Sequence, residues 1–145
     1  MKPEIKVCSF EQSKRLCELG VSQELQPGDA YWATMSNGTN RCFFLSENED
    51  PPPSMYRPIR AFDATEMGFM ITRTANVRLP QWNEREKKFT ISVYPDSPIE
   101  KTFSSTSEAI ARADQLIWLI GSKSDPLLES VNNAIQELYL FQPQP

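Results

Sequence analysis

The dipeptide Asn37-Gly38 constrains the fold of this chain most strongly, because it joins two runs of β-forming residues over 30–36 and 39–45. An Asn-Gly pair tolerates the positive φ angles of a type I′ turn and is the strongest short-range signal for a β-hairpin. A two-residue loop here pairs Ser36 with Thr39, Ala33 with Cys42, Trp32 with Phe43 and Tyr31 with Phe44. We therefore predict an antiparallel hairpin with an aromatic pair on each face of its open end.

Helix starts are marked by three capping boxes, in which a Ser or Asp is followed three residues later by Glu or Gln. The boxes are Ser9 with Gln12, Asp63 with Glu66, and Ser105 with Glu108. They predict a helix over 10–19 that ends at Gly20, a short helix over 64–70, and a longer helix that Gly121 ends. A last helix starts at Asp125-Pro126. Apolar residues spaced three and four apart give both C-terminal helices a core-facing stripe.

Alternating apolar and polar residues predict a strand over 88–94, a shorter return strand over 99–104 and a third strand near 77–79. The sequence therefore predicts an α+β fold: an antiparallel sheet of about four or five strands packed with an N-terminal helix and two C-terminal helices. Residues 1–145 are the length of one domain. Within it, 47–58 reads as a mobile, acidic, proline-rich loop and 142–145 as a frayed tail.

The chain contains no histidine. This absence excludes a Ser-His-Asp triad, a Cys-His dyad and any histidine-ligated metal. Five glycines leave little material for a phosphate-binding loop, and the three cysteines are too widely spaced for a four-ligand zinc site. Glu84 and Glu86 lie among basic residues and read as a solvated turn. We therefore expect no enzymatic activity, no cofactor and no metal.

The N-terminal residues lack the apolar segment of a signal peptide, and no apolar run approaches the roughly 18 residues that cross a bilayer. We expect a cytoplasmic protein without a membrane partner. A net charge of −4 disfavours nucleic-acid binding, which usually needs a basic surface. The charge is uneven, since residues 57–88 carry seven basic and four acidic side chains. This segment either scatters solvated charges or forms a site for an anion or an acidic partner.

Arginine and aromatic side chains together can clamp and stack an anionic ligand, and they also anchor protein interfaces. The candidate binding residues are Tyr56, Arg57, Arg60, Arg73, Arg78, Trp82 and Trp118. Trp118 lies off the main apolar stripe of its helix, which makes it the candidate for an exposed aromatic residue in a dimer or partner contact. The alternative is that these arginines are surface charges and the tryptophans belong to the core.

Three segments carry a resemblance to a group of small, uncharacterised proteins of phages, prophages and mobile elements of Bacteroidetes. They are Cys8–Val21, which reads CSFEQSKRLCELGV, Ala61–Met67, which reads AFDATEM, and the alanine-rich Ser107–Ile120. Tyr31-Trp32 resembles the aromatic strand of the group. The resemblance implies a small α+β fold and a cytoplasmic protein of phage or mobile-element origin, but no catalytic residues. The proline-rich loop and the helix after Asp125 depart from the usual pattern of the group.

These observations favour a non-enzymatic accessory protein that binds a host protein, as an inhibitor or counter-defence factor. An alternative from another class is a protein that sequesters a small anionic ligand, such as a nucleotide signal, through Arg57, Arg60 or Arg73. A third alternative is a component of the virion.

Overall fold

A computed structural model describes residues 7–46, 57–73, 81–93, 98, 101–122 and 125–140. The N-terminal part of the chain forms the first helix, a hairpin, a short strand and a second helix. Two further strands follow, then a third strand of the same sheet and two long helices. In chain order the elements are α1 (Phe10–Glu18), β1 (Ala30–Thr34), β2 (Asn40–Phe44), β3 (Ile59–Ala61), α2 (Ala64–Thr72), β4 (Gln81–Asn83), β5 (Lys88–Val93), β6 (Lys101–Ser105), α3 (Glu108–Ser122) and α4 (Asp125–Leu140).

The α+β class is confirmed, but the described strands form two separate antiparallel sheets. One has the order β2-β1-β3 and the other the order β4-β5-β6. The expected single sheet of four or five strands is therefore wrong in this respect. The two sheets are separated along the chain by α2, which follows directly after β3. The strand expected near 77–79, most of the 47–58 loop and the 142–145 tail lie outside the described residues.

The hairpin of β1 and β2 forms as expected, with a register one residue away from the expected one. Trp32 lies opposite Cys42, and Tyr31 lies opposite Phe43. The reason is the turn: Gly38 N donates to Met35 O, and Met35 N donates to Thr39 O, so the loop has three residues. Gly38 alone among them has a positive φ, of 88°. Such a loop is a type I turn followed by a left-handed glycine, and the expected type I′ turn is wrong.

Two of the three capping boxes are confirmed, at the starts of α1 and α2. The third is wrong, because Ser107 caps α3: its Oγ accepts from Ile110 N at 3.3 Å. Ser105 instead accepts from Ser107 N at 3.2 Å. α1 ends before Gly20, whose φ of 100° is the left-handed conformation that glycine adopts most easily.

The main core lies between α1, α2, α3 and α4. Its buried residues come from all four helices and from the segments that flank them, among them Leu16, Phe62, Met67, Leu116 and Ile135. α3 also packs across β5 and β6, which brings the second sheet onto the helical layer. A smaller cluster around Trp32 joins the first sheet to Val7 and Phe10. The helical layer thus holds both sheets.

Candidate functional site

The candidate residues of the sequence lie in different parts of the molecule, and Tyr56 and Arg78 lie outside the described residues. Arg57 is exposed and has a φ of 46°, which is the left-handed region. Arg73 is exposed at the end of α2, where it pairs with Glu137 of α4 at 3.3 Å. The candidate residues that the structure describes therefore do not form one common site.

Two of the candidate binding residues are less exposed than expected. Trp118 is half-buried and packs against Phe103 of β6, with ring centroids 6.2 Å apart, because α3 lies across that strand. Arg60 is 1% exposed. Its guanidinium group bonds to groups of this chain, so it is not available as a surface clamp for an anion.

Arg60 is the centre of a buried polar cluster that joins four segments. It lies in the middle of β3, where the apolar neighbours Ile59 and Ala61 carry the backbone into the interior. Its Nη2 donates to Glu66 Oε2 of α2 at 3.0 Å and lies 3.5 Å from Asp29 Oδ2. The cluster therefore connects β3 with α2 and with the turn before β1.

The other side of the guanidinium group meets α4 and the segment before β1. Arg60 Nη1 donates to Glu24 O at 2.8 Å and to the hydroxyl oxygen of Tyr139. The guanidinium carbon also lies 4.5 Å from the ring centre of Phe62 and 5.2 Å from that of Tyr139. These contacts replace most of the water that a charged side chain loses on burial, while Arg60 Nε has no hydrogen-bond partner among the described residues.

Burial raises the pKa of the Asp29 carboxyl, and Arg60 opposes this only in part. Burial also raises the pKa of Glu66, and the nearby negative charge of Asp63 adds to the effect. Both carboxyls therefore hold a proton more tightly than exposed carboxyls do. Perturbed carboxyls often mark functional sites, although structural ion clusters perturb them equally well.

A cleft of about 530 Å³ lies where α2 and α3 begin. Its polar lining combines the carboxyl groups of the two helix starts with three hydroxyl groups, and an aromatic ring of β5 forms part of the wall. The lining residues are Asp63, Ala64, Thr65, Phe89, Thr106, Ser107, Glu108 and Ala109. Both carboxylates already have partners in the chain, since Asp63 accepts from Glu66 N and Glu108 accepts from Arg112 Nε.

The aromatic wall of this cleft continues onto the surface through Trp82. Trp82 lies directly opposite Phe89 in the β4–β5 pair, with ring centroids 4.8 Å apart at an angle of 62°. It is 44% exposed, and all three residues of β4 are exposed. β4 is also the edge of its sheet within the described residues. We call Trp82, Phe89 and the cleft lining the aromatic cleft surface.

Metal-ligating side chains and cysteine thiols are the remaining candidates for chemistry among the described residues. In the ranges that the structure describes, no three His, Cys, Asp or Glu side chains come together to hold a metal ion. Cys8 is buried against Ser13 Oγ at 3.2 Å, and burial raises the pKa of its thiol. A thiol that stays protonated is a poor nucleophile. Cys17 is exposed, and Cys42 is buried.

No family model matches the chain, and no curated protein or solved structure matches it either. Among the described helices, none combines the length and the apolar character needed to cross a bilayer. Any function proposed for the candidate site therefore has to follow from its geometry.

Trp82 was predicted from the sequence as a binding residue, but its partner Phe89 was not. The neighbours of Arg60 were also not predicted; they are Asp29, Glu66 and Tyr139. Knowledge that β4 pairs with β5 would have identified Phe89 as the partner of Trp82. β4 has only three residues, which is too short for a periodic pattern. The Arg60 cluster joins residues up to 115 positions apart, which local patterns do not detect.

Proposed function

We propose that this chain is a non-enzymatic accessory protein of phage or mobile-element origin that acts by binding a host protein in the cytoplasm. The resemblance of Cys8–Val21 and two later segments supports the origin. The observation that carries the binding role is the aromatic cleft surface, where an exposed tryptophan stands beside a cleft on an open sheet edge. Tryptophan is enriched among residues that dominate binding energy, and edge strands offer unpaired backbone groups to a partner.

The position of Trp82 strengthens the proposal, because its ring is held in place before any partner binds. Its edge contacts Phe89, and its Nε1 donates to Glu84 Oε2 at 2.7 Å. Glu84 in turn pairs with Lys87. A ring fixed in this way loses little conformational freedom on binding, so more of the contact energy remains as affinity.

The alternative of a small anionic ligand has weaker support. Of its three arginines, Arg60 is buried and bonded to the chain's own carboxylates, and Arg73 pairs with Glu137. Only Arg57 is described without such a carboxylate partner. A single exposed arginine is too little for the bidentate and stacking contacts that hold a nucleotide.

The test uses Phe44 as a matched control, because it is 47% exposed on the other sheet and Trp82 is 44% exposed. The tagged chain and the variants Trp82→Ala and Phe44→Ala are incubated with Bacteroidetes host lysate, and stoichiometric partners are identified by mass spectrometry. We expect the wild-type chain and Phe44→Ala to retain one partner that Trp82→Ala loses by at least tenfold, as for an interface residue worth about 1.4 kcal/mol or more.

Failure to recover any stoichiometric partner would count against the proposal, and equal recovery by Trp82→Ala would remove the aromatic cleft surface from it. A thermal-shift screen with cyclic and linear nucleotides at millimolar concentration covers the alternative. A shift that Arg57→Ala abolishes would establish ligand binding in place of protein binding.

A further inference from the structure

One side of α4 is attached by polar side chains to the segment between α1 and β1. Asn132, Gln136 and Tyr139 are spaced four and three residues apart, so they line one face of the helix. The contacts are Asn132 Oδ1 with Ser22 N at 2.8 Å, Asn132 Nδ2 with Gly20 O at 3.2 Å, Gln136 Nε2 with Glu24 Oε2 at 3.1 Å, and Tyr139 OH with Glu24 O at 3.0 Å. The core-facing residues of α4 lie at other positions, among them Val131 and Ile135.

The last of these contacts ends in the Arg60 cluster. The Tyr139 hydroxyl accepts from Arg60 Nη1 and can donate its one proton to Glu24 O or to Asp29 Oδ2, which is 3.1 Å away. Asp29 Oδ2 also accepts from Gln26 N at 2.9 Å. The hydroxyl group at the end of α4 therefore bonds directly to the guanidinium group and lies within hydrogen-bond distance of one carboxyl group of the cluster.

The formal charges of the cluster do not balance when every group is ionised. One guanidinium group faces two carboxylates, Asp29 and Glu66, so full ionisation leaves one negative charge in excess. An uncompensated buried charge is expensive, and two carboxylates at one site favour retention of a proton. The negative charge of Asp29 also raises the pKa of Glu66, so the two carboxyls do not titrate independently.

We propose that the end of α4 is a pH-dependent latch, closed while Asp29 and Glu66 share one proton beside Arg60, and opened when that proton is released. The opening step is a local separation of residues 136–140 from the segment 22–29. In this step one carboxyl O–H bond breaks and its proton passes to solvent, and no other covalent bond changes. This inference does not depend on the identity of any partner.

Every element that packs around the cluster contributes a charged or titratable group. β3 provides Arg60 itself, and the segment before β1 provides Glu24 and Asp29. α2 and its cap provide Glu66 and Asp63, whose negative charge also faces Glu66. The remaining groups are Tyr139 of α4 and the thiol of Cys8, which feels the charge of Glu66.

The direction of the pH dependence follows from the two carboxyl groups. Their pKa is raised in the closed state, and it returns towards the ordinary range of about 4 when they meet solvent. The closed state therefore binds more protons, and its stability falls as the pH rises from that range through the raised pKa of the closed state, above which the dependence ends. Below the ordinary range, both carboxyls are protonated in either state and the dependence disappears.

Hydrogen exchange measured on the full chain between pH 5 and pH 8 tests the latch. Protection factors of amides 136–140, corrected for intrinsic exchange, report its opening, and amides of α1 report the rest of the fold. We expect the opening constant at 136–140 to rise with pH by up to about tenfold per pH unit, which is the limiting slope for one released proton, until the pH passes the raised pKa of the closed state. Global unfolding exposes the same carboxyls, so α1 amides that exchange through it share this slope, but their opening constant should be much smaller than that at 136–140.

Three variants separate the cluster from other charges. Asp29→Asn and Glu66→Gln remove one carboxylate each and should flatten the slope at 136–140. Glu137→Gln removes an exposed carboxylate of the same helix that pairs with Arg73, and it should leave the slope unchanged. Two carboxyl variants are used so that one can report if the other fails to fold.

A flat protection profile in the wild-type chain would overturn the latch. Equal opening constants at α1 and at 136–140 would also overturn it, because they would indicate that 136–140 opens only by global unfolding. Carboxyl-carbon NMR titration of Asp29 and Glu66 gives an independent measurement, and release of both protons in the range of exposed carboxyls would contradict the shared proton.

Discussion

Replacing Gln115 by leucine should stabilise the protein. The side chain of Gln115 in α3 is fully buried, and neither its Nε2 nor its Oε1 has a hydrogen-bond partner among the described residues. A buried polar group without a partner costs about 1–3 kcal/mol relative to its hydrated state. Leucine removes both polar groups and fills a similar space. No hydrogen bond is lost, because neither group has a partner among the described residues.

We expect the free energy of unfolding to rise by about 1–3 kcal/mol, because imperfect fit of the branched side chain offsets part of the gain. For a domain of this size that corresponds to about 2–4 °C in Tm for each kcal/mol. Urea denaturation followed by tryptophan fluorescence measures the change, with an unchanged m-value as the sign that both states keep their exposed surface. Gln115→Met repeats the test without branching at the γ carbon.

Gln12 is the matched control, because its amide is fully engaged. Its Nε2 donates to Ile110 O at 3.0 Å and to Asp114 Oδ1 at 2.7 Å, and its Oε1 accepts from Ser9 N at 3.1 Å. Gln12→Leu should therefore destabilise the protein by about 1–2 kcal/mol. If Gln115→Leu and Gln115→Met both destabilise like Gln12→Leu, the buried amide of Gln115 has a partner and the reasoning is wrong.

Arg60→Met should lower the free energy of unfolding by about 3–5 kcal/mol at neutral pH, because it leaves Asp29 and Glu66 without their cation. Chemical denaturation measures this change, and a loss below about 1 kcal/mol would contradict the role of the cluster. Gly20→Ala should destabilise by about 1 kcal/mol or more, since Gly20 has a φ of 100° and a Cβ there would lie 2.9 Å from Leu128 Cδ2. Gly121→Ala should instead stabilise by about 0.5–1 kcal/mol, because Gly121 is helical and a Cβ there meets nothing within 4 Å. A common sign for the two alanine variants in thermal denaturation would refute the comparison.

The sequence predicted the elements whose signals are local. The helix starts at Ser9 and Asp63 are confirmed because a capping box needs only four consecutive residues to form. The hairpin was predicted, but its register was wrong because Asn-Gly also fits the second and third positions of a three-residue loop. β3 and β4 were missed because three residues show no period. The division into two sheets depends on pairings that no local pattern encodes.

Arg60 shows how a functional reading of residue types can fail. Its charge suggested the surface, yet Ile59, Ala61 and Phe62 around it are apolar, and this was the available signal of burial. Glu66 lies only six positions from Arg60, but the other groups that bond to Arg60 come from segments remote in sequence, so the cluster could not be assembled in advance. Trp82 was among the predicted binding residues, but its exposure depends on β4 being an edge strand, which no local pattern shows.

The two buried polar sites differ in what they contribute to the fold. The Arg60 cluster ties together β3, α2, α4 and the segment before β1, and a misplaced α4 would leave its charges buried without partners. Buried ion clusters add little net stability but can penalise alternative arrangements, which we take as a hypothesis for this chain. Gln115 has no described partner and so specifies nothing by hydrogen bonding. We expect Gln115→Leu to raise stability and Arg60→Met to abolish the docking of α4. This pair of results would show that the charge cluster sets the position of that helix, and that buried polarity in general does not.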